Sequence, residues 1–372
     1  MKKIGIITFH RALNYGAKLQ AYALQETLKA EYDVSIIDYR CPFIENIYYN
    51  PSFKKKKSIK HLIKNVLYYK KLNQLKIAKK LLYDEFLKFD LQYLNISSIK
   101  YLPENIVEAN NEYDYFIAGS DQIWNLRLTG HDWNYFLEFA NNSKKYSYAA
   151  SFGGEIQNDD IIDIANKLKS FQSLLVRERS GVNLLNKILE SEKDVKSVCD
   201  PVFLLSREQW FTKLNLKKAT NCEKYILVME VAPALNVFAF AQNLAAKKNY
   251  KIYYINQNGR IRLPHNFIGI TSVSPHEFLE LIANAKYVIT TSFHAMAFSI
   301  IFNVPFFYEL DKSAKNNNDR LSNLAEIFDI KEKEIKSEAL VEDWNNTQWE
   351  DINNKLKRYA IDSKQILLQS IR

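Results

Sequence analysis

Ile4-Gly5-Ile6-Ile7-Thr8-Phe9, the helix-forming run from Ala17 to Ala30, and Val34-Ser35-Ile36-Ile37-Asp38-Tyr39 are the stretch on which the fold turns. The two outer runs are short and apolar, as strands buried in a parallel sheet are. The middle run sets Leu19, Tyr22, Ala23 and Leu28 among strong helix formers. Strand, helix and strand in that order make a βαβ unit, so the chain is expected to be an α/β protein. The loop His10-Arg11-Ala12-Leu13-Asn14-Tyr15-Gly16 joins the first strand to the helix. Ligands of open α/β sheets collect at such loops, where helix-start N–H groups face outward.

The same alternation returns after about Lys224. It runs as a strand from Tyr225 to Val231, a helix near Leu235 to Ala246, a strand from Lys251 to Ile255 and a helix from Pro275 to Ala283. The strand Tyr287-Val288-Ile289-Thr290, a helix from about His294 to Phe302 and the short strand Pro305-Phe306-Phe307 complete it. Between the two series, Tyr113 to Gly119, Lys145 to Gly153 and Leu174 to Gly181 read as further strands, each ending in a polar or glycine-bearing turn. Asp200-Pro201-Val202-Phe203 reads as the close of the first unit. The expected division is residues 1–205, residues 206–345, and a terminal helix in 346–372 that packs back on the first unit. At 372 residues, two domains of ordinary size are comfortable.

Hydrophobic residues at 47% and charged residues at 25% are the balance of a folded chain, which sets disorder aside. Cys41, Cys199 and Cys222 are isolated and odd in number, so neither a disulfide framework nor a cysteine-ligated zinc is expected. His61, His131, His265 and His276 lack ligand-like spacing with other donors, and no metal is expected. Met1-Lys2-Lys3 leads directly into a strand rather than a leader, and no apolar run approaches the roughly 18 residues of a membrane span. A cytoplasmic protein is expected. The net charge of +9 is concentrated in a lysine-rich helical insertion at about residues 54–94, where Lys54 to Tyr83 contains no Asp or Glu. Ile59, Leu62, Ile63, Val66 and Leu67 give that helix one apolar stripe. Elsewhere the chain is nearly neutral, which argues against nucleic acid and leaves an anionic membrane surface or plain solvent as the partner of the basic face.

Three places carry candidate chemistry. At Thr290-Thr291-Ser292-Phe293-His294 a buried strand gives way to a helix, so Thr291 or Ser292 caps it and His294 falls in the first turn. An imidazole there suits proton transfer near neutral pH; a packed core histidine would leave the same pattern. Arg177 and Arg179 end a strand two residues apart, and alternation would point both guanidinium groups the same way to clamp an anion. A surface pair screened by Glu178 is the alternative. In Gly119-Ser120-Asp121-Gln122-Ile123-Trp124-Asn125, hydroxyl, carboxylate, amide and indole groups follow a strand, a mixture suited to a sugar. The first loop shows no GxGxxG or Walker pattern, although Gly16 permits close approach of an anion to the backbone.

Read together, these stretches resemble the polysaccharide pyruvyl transferase family. The resemblance is carried by Ile6 to His10, Asn14 to Ala17, Leu19 to Leu24, Gly119 to Asn125, Tyr146 to Gly153, Val176-Arg177-Glu178, Asp200-Pro201, and Thr291 to His294 with Phe298-Ser299-Ile300. It implies two Rossmann-like lobes with a cleft between them, a GT-B-like architecture. It also implies transfer of a pyruvyl group from phosphoenolpyruvate to a sugar hydroxyl pair of a surface polysaccharide precursor, forming a pyruvate ketal. Phosphoenolpyruvate is then a donor substrate, and no cofactor is expected. By that resemblance His294 and Asp121 are catalytic candidates, with Arg177, Arg179, Ser292, Asn14, Tyr15, Gly16 and Arg320 on the donor side. Ser120, Gln122, Trp124, Asn125 and His10 fall on the acceptor side, and the acceptor is expected to be lipid-linked. Many family members have Arg two residues before the histidine, where this chain has Ser292; others have an Asp where it has Thr291. The donor clamp then rests on Arg177 with Arg179, or on Arg320. A nucleotide-sugar glycosyltransferase of the same architecture and a non-catalytic glycan-binding relative are the competing readings.

Overall fold

The computed structural model describes residues 1–49, 62–154, 156, 158–218, 223–256, 263–311, 318–337 and 347–371. Strands β1 (Lys3–Ile7), β2 (Asp33–Tyr39), β3 (Ile96–Tyr101), β4 (Tyr115–Ala118) and β5 (Lys145–Ser147) form a parallel sheet ordered β3-β2-β1-β4-β5. A parallel pair, β6 (Leu174–Val176) and β7 (Val195–Ser197), continues its edge through single bridges from Tyr146 to Ser173 and from Ala150 to Val176. The second sheet contains β8 (Tyr225–Met229), β9 (Lys251–Ile255), β10 (Phe267–Ile270), β11 (Tyr287–Thr290) and β12 (Phe306–Tyr308), ordered β10-β9-β8-β11-β12. Both sheets start at an inner strand, wind outward, and then reverse. The crevices at these reversals, β1/β4 and β8/β11, are where doubly wound sheets bind ligands.

The helices are α1 (Tyr15–Leu28), α2 (Pro42–Tyr49), α3 (Leu62–Tyr93), α4 (Leu126–Thr129), α5 (Ile161–Leu168) and α6 (Arg179–Ile188) in the first half. Then come α7 (Arg207–Leu214), α8 (Val237–Lys248), α9 (Pro275–Asn284), α10 (Phe293–Phe302), α11 (Asp319–Phe328) and α12 (Trp349–Ser370). Two of them differ from the rest. Every residue of α10 is buried, as is all of α1 except the half-buried Glu26, because each is sandwiched between its own sheet and the opposite lobe. A helix apolar on all sides is a helix in the middle of a core.

Tyr15 stacks on Phe278 of α9 at 4.5 Å and 7°, and Tyr22 and Phe298 both pack on Trp210, so one apolar cluster runs through both lobes. Helix α3 lies against α1 through Leu82, Phe86 and Phe89, and a buried ion pair at 2.5 Å joins Lys18 to Asp90. Helix α12 returns to the segment Pro201–Leu204: Tyr359 meets Phe203 and Phe328, and Ser363 Oγ accepts from Cys199 N at 2.9 Å. No described helix is long and apolar enough to cross a membrane.

Two expected strands are shorter than their sequence suggests. Regular pairing stops at Ser147 rather than Gly153, and at Val176 rather than Gly181. Lys54 to Lys57, the densest part of the lysine run, and Cys222 lie outside the described residues. Cys41 and Cys199 are buried free thiols.

Candidate active site

The site begins with two helix starts brought face to face. Asn14 caps α1, its side chain accepting from Ala17 N at 3.3 Å. At the other switch point, Thr290 Oγ1 donates to Met229 O at 2.7 Å and accepts from Ser292 N at 2.9 Å. Thr291 Oγ1 accepts from Val231 N and Ala232 N, tying the loop after β8 to the loop after β11. Ser292 then caps α10, accepting from Ala295 N at 3.4 Å. These hydroxyls fix the backbone so that His294 enters in the first turn of α10 and its ring lies on the first turn of α1. A β-carbon added to Gly16 would overlap Nδ1, Cε1 and Cγ of that ring. Two positive helix ends thus meet at one imidazole, and the leading N–H groups of each helix have no partner within it.

Behind the imidazole stands a buried charge network. His294 Nε2 lies 3.6 Å from Asp200 Oδ2, an ion-pair distance longer than a hydrogen bond. Asp200 Oδ2 accepts from Arg177 Nη1 at 2.8 Å, and its Oδ1 accepts from Val202 N at 3.1 Å. Burial by itself would raise the Asp200 pKa, but His294 and Arg177 outweigh it and hold the carboxyl at about 2. It is ionised at any working pH, so His294 always faces an anion. Arg177 Nε donates to Glu178 Oε1 at 3.0 Å, its Nη1 lies 4.0 Å from Asp121 Oδ1, and its guanidinium sits 5.0 Å above the Phe293 ring. Arg177 Nη2 has no hydrogen-bond partner among the described residues. One buried cation therefore links Asp121 to Asp200 within the first lobe, and Asp200 faces His294 of the second.

The cleft in front of this network has a volume of about 330 Å³. Its polar lining includes Asn14, Asp121, Gln122, His294, Asp311 and Arg320, with Phe9, Tyr48 and Phe278 among the apolar walls. Arg320 enters from the first turn of α11 and is half-buried. Burial, and behind it the Arg177 charge, lowers its pKa, yet a guanidinium keeps its proton in proteins. Among the described residues, no group of three His, Cys, Asp or Glu side chains is arranged to hold a metal ion.

The structure gathers Asn14, Tyr15, Gly16, Asp121, Gln122, Ser292, His294 and Arg320 around this cleft. It sets the other candidates apart from the lining of this cleft. Arg177 and Arg179 do not converge, because the strand stops at Val176 and α6 starts at Arg179. Arg177 is 2% exposed and held by carboxylates, whereas Arg179 is exposed. Trp124 is 1% exposed, stacks on Phe136, and donates Nε1–H to Tyr135 O, which makes it a core anchor and not a sugar platform. Ser120 is fully buried and donates to Ala149 O. His10 is buried between Thr8 O and Asp38 Oδ1, its pKa lowered chiefly by burial. Asn125 half-buries itself as the cap of α4, accepting from Arg127 N and Leu128 N. Asp200 was missed as a site residue. Asp-Pro signals a capped helical turn, and nothing local says that the cap also faces an imidazole from the other lobe.

Two Rossmann-like lobes closing on a cleft define a GT-B-type architecture, and solved structures of that type superpose on the chain end to end. UDP-GlcNAc 2-epimerase from Neisseria meningitidis bound to UDP-GlcNAc superposes with a TM-score of 0.50 at 9% identity, over 100% of this chain and 99% of that one. The S. aureus MnaA–UDP complex gives 0.46 at 10% identity over 98% and 91%. The glycosyltransferase SnogD from Streptomyces nogalater gives 0.41 at 9% identity over 99% of both chains. These likenesses concern the fold alone. No curated protein matches the chain in sequence. Residues 14–308 match the family model for polysaccharide pyruvyl transferase, and the chain belongs to that family.

Proposed function

We propose that the protein transfers the enolpyruvyl carbon skeleton of phosphoenolpyruvate to two hydroxyls of a sugar in a surface-polysaccharide precursor, forming a pyruvate ketal and releasing phosphate. The observation that carries this reading is the meeting of two helix starts and Arg320 around His294, which suits a small donor bearing a phosphate and a carboxylate. In the reaction the donor's methylene carbon takes up a proton and becomes a methyl group. One sugar hydroxyl adds to the neighbouring carbon, the bond from that carbon to the phosphate oxygen breaks, and the second hydroxyl closes the ring. Of the two hydroxyl protons lost, one balances the new C–H bond and the other leaves with phosphate. With Nε2 turned to Asp200, His294 exchanges its proton at Nδ1, the edge that lies on α1. Asp121 accepts the proton of the attacking hydroxyl.

The competing nucleotide-sugar reading is disfavoured by Glu309. In a Rossmann-like lobe the helix after the first strand is the usual seat of a diphosphate. Here Glu309 occupies the start of that helix, accepting from Leu235 N at 3.0 Å and from Asn236 N and Val237 N, each at 2.9 Å. A carboxylate in that seat repels a diphosphate. The deciding experiment is mass spectrometry of lipid-linked glycans incubated with the protein and phosphoenolpyruvate. A pyruvyl ketal with stoichiometric phosphate supports the reading; uridine diphosphate binding without phosphoenolpyruvate turnover defeats it. Arg320→Gln should raise KM for phosphoenolpyruvate about 10- to 100-fold with kcat nearly kept, as loss of one charged hydrogen bond in ground and transition states predicts. An unchanged KM in steady-state assays removes Arg320 from the donor site.

The acceptor's lipid would bring the protein to an anionic membrane. Helix α3, beside the cleft, exposes Ile77 and Leu81 next to Lys79 and Lys80, a pairing suited to a lipid surface. Reversing both lysines to glutamate should weaken binding to phosphatidylglycerol vesicles at least about tenfold, given roughly 1 kcal/mol per lysine. Equal sedimentation of variant and parent with those vesicles rules the docking face out.

A further inference from the structure

Of the side chains expected to hold the acceptor, Ser120, Trp124 and His10 are enclosed in the first lobe and Gln122 lines the cleft, so a sugar needs further contacts. A second cavity of about 400 Å³ adjoins the cleft and shares Asn14, Tyr15, Ile47, Tyr48 and Val231 with it. One wall is α3, through Ala78, Lys79 and Leu82. The facing wall is at the C-terminal ends of strands in the second sheet, where Asn256 follows β9, Ile270 ends β10, and Thr271 and Ser272 follow it. Its position outside strand ends is the ligand side of a doubly wound sheet.

The chemistry of these walls differs from that of the first cavity. There the groups suit an anion; here amide and hydroxyl groups stand among aliphatic and tyrosyl surfaces. Ser272 Oγ is buried without a hydrogen-bond partner among the described residues. A hydroxyl left in that state is destabilising, and a ligand with hydroxyls of its own offsets that. Tyr48 stands at the junction. It lines the first cavity together with Asp121, the proposed base.

We infer that this second cavity is the acceptor subsite, and that it receives a pyranose ring against Tyr48 with its hydroxyls on Asn256 and Ser272. The two hydroxyls to be bridged then pass Asn14 toward Asp121, and the rest of the glycan leaves along α3. The inference rests on the pyruvyl-transfer reading, and its test separates the two. Binding of a panel of 4-nitrophenyl hexopyranosides is followed by saturation-transfer NMR with phosphoenolpyruvate present, and phosphoenolpyruvate affinity is measured alone by calorimetry. Ala78→Trp adds bulk to the second cavity from a helix surface, and Leu128→Trp adds it to the rim of the first. Ala78→Trp should weaken hexoside binding at least about tenfold with phosphoenolpyruvate affinity unchanged, and Leu128→Trp should leave hexoside binding as it is. Wild-type hexoside affinity in Ala78→Trp, or loss only in Leu128→Trp, overturns the assignment. So does a wild-type protein that binds phosphoenolpyruvate but no hexoside. If the wild type binds a hexoside that Ala78→Trp excludes, yet fails to bind phosphoenolpyruvate, the subsite stands and the donor reading falls.

Discussion

His294→Ala will lower phosphate release from phosphoenolpyruvate by about 10²–10⁴-fold, the usual range for losing a positioned acid or base. The methylene carbon of the donor is a weak base and needs a positioned proton donor, a part for which the imidazole in the first turn of α10 is placed. Asp121 lies 4.0 Å from Arg177 and is assigned to the acceptor hydroxyl, and Arg320 keeps its proton. Turnover should fall through kcat, because helix starts and Arg320 still bind the donor's charges. A histidine that only bound the donor would give the opposite split, with KM raised and kcat kept, and stopped-flow phosphate assays separate the two. Asp200→Asn provides the companion measurement. It retains the shape at that position and removes the anion facing Nε2, so turnover should fall less than in His294→Ala, with phosphoenolpyruvate affinity retained. A full-rate His294→Ala enzyme would end the assignment of the imidazole to chemistry and leave the fold untouched.

The parts of this arrangement that were legible in the sequence are those with local causes. The β1–α1–β2 unit could be read because its period and length are set by burial between layers. The capped start of α10 could be read because Thr-Thr-Ser before an apolar helix has one plain use. Two edge strands, β3 and β10, were not legible. Ile96–Tyr101 buries only its last residue and Phe267–Ile270 only its first, so neither carries the continuous apolar run of an inner strand. Trp124 misled for a chemical reason: polar neighbours suggested a sugar, while the indole's area is what the core under Phe136 and Phe171 requires. Arg177 misled for a geometric one. Alternation holds only while a strand lasts, and β6 ends one residue before it. The missing partner, Asp200, and the ring it faces are on different lobes, and no window along the chain contains both.

Gly16→Ala tests that inter-lobe contact from the side where no chemistry is performed. Gly16 lies in the first turn of α1 with ordinary negative φ, so alanine meets no backbone strain there, and alanine is the better helix former by about 1 kcal/mol. Judged by its own helix, the substitution is harmless. Judged by the cleft, it is severe, because the new methyl group occupies space filled by the His294 ring. That ring has little freedom to yield, with Phe293 and Asp200 against it and α10 buried on every side. Either the ring rotates away from its place or the lobes separate, and a displacement of about 1 Å at a reacting group is enough for a 10²-fold loss. Turnover should therefore drop at least about 100-fold, with helical content and cooperative unfolding preserved. The double variant Gly16→Ala/His294→Ala decides what the loss means. If the methyl group acts by moving the imidazole, removing the imidazole relieves it, and the double variant turns over no more slowly than His294→Ala alone. Losses that multiply would show that Gly16 acts on the donor itself, by letting the phosphate approach the backbone of α1.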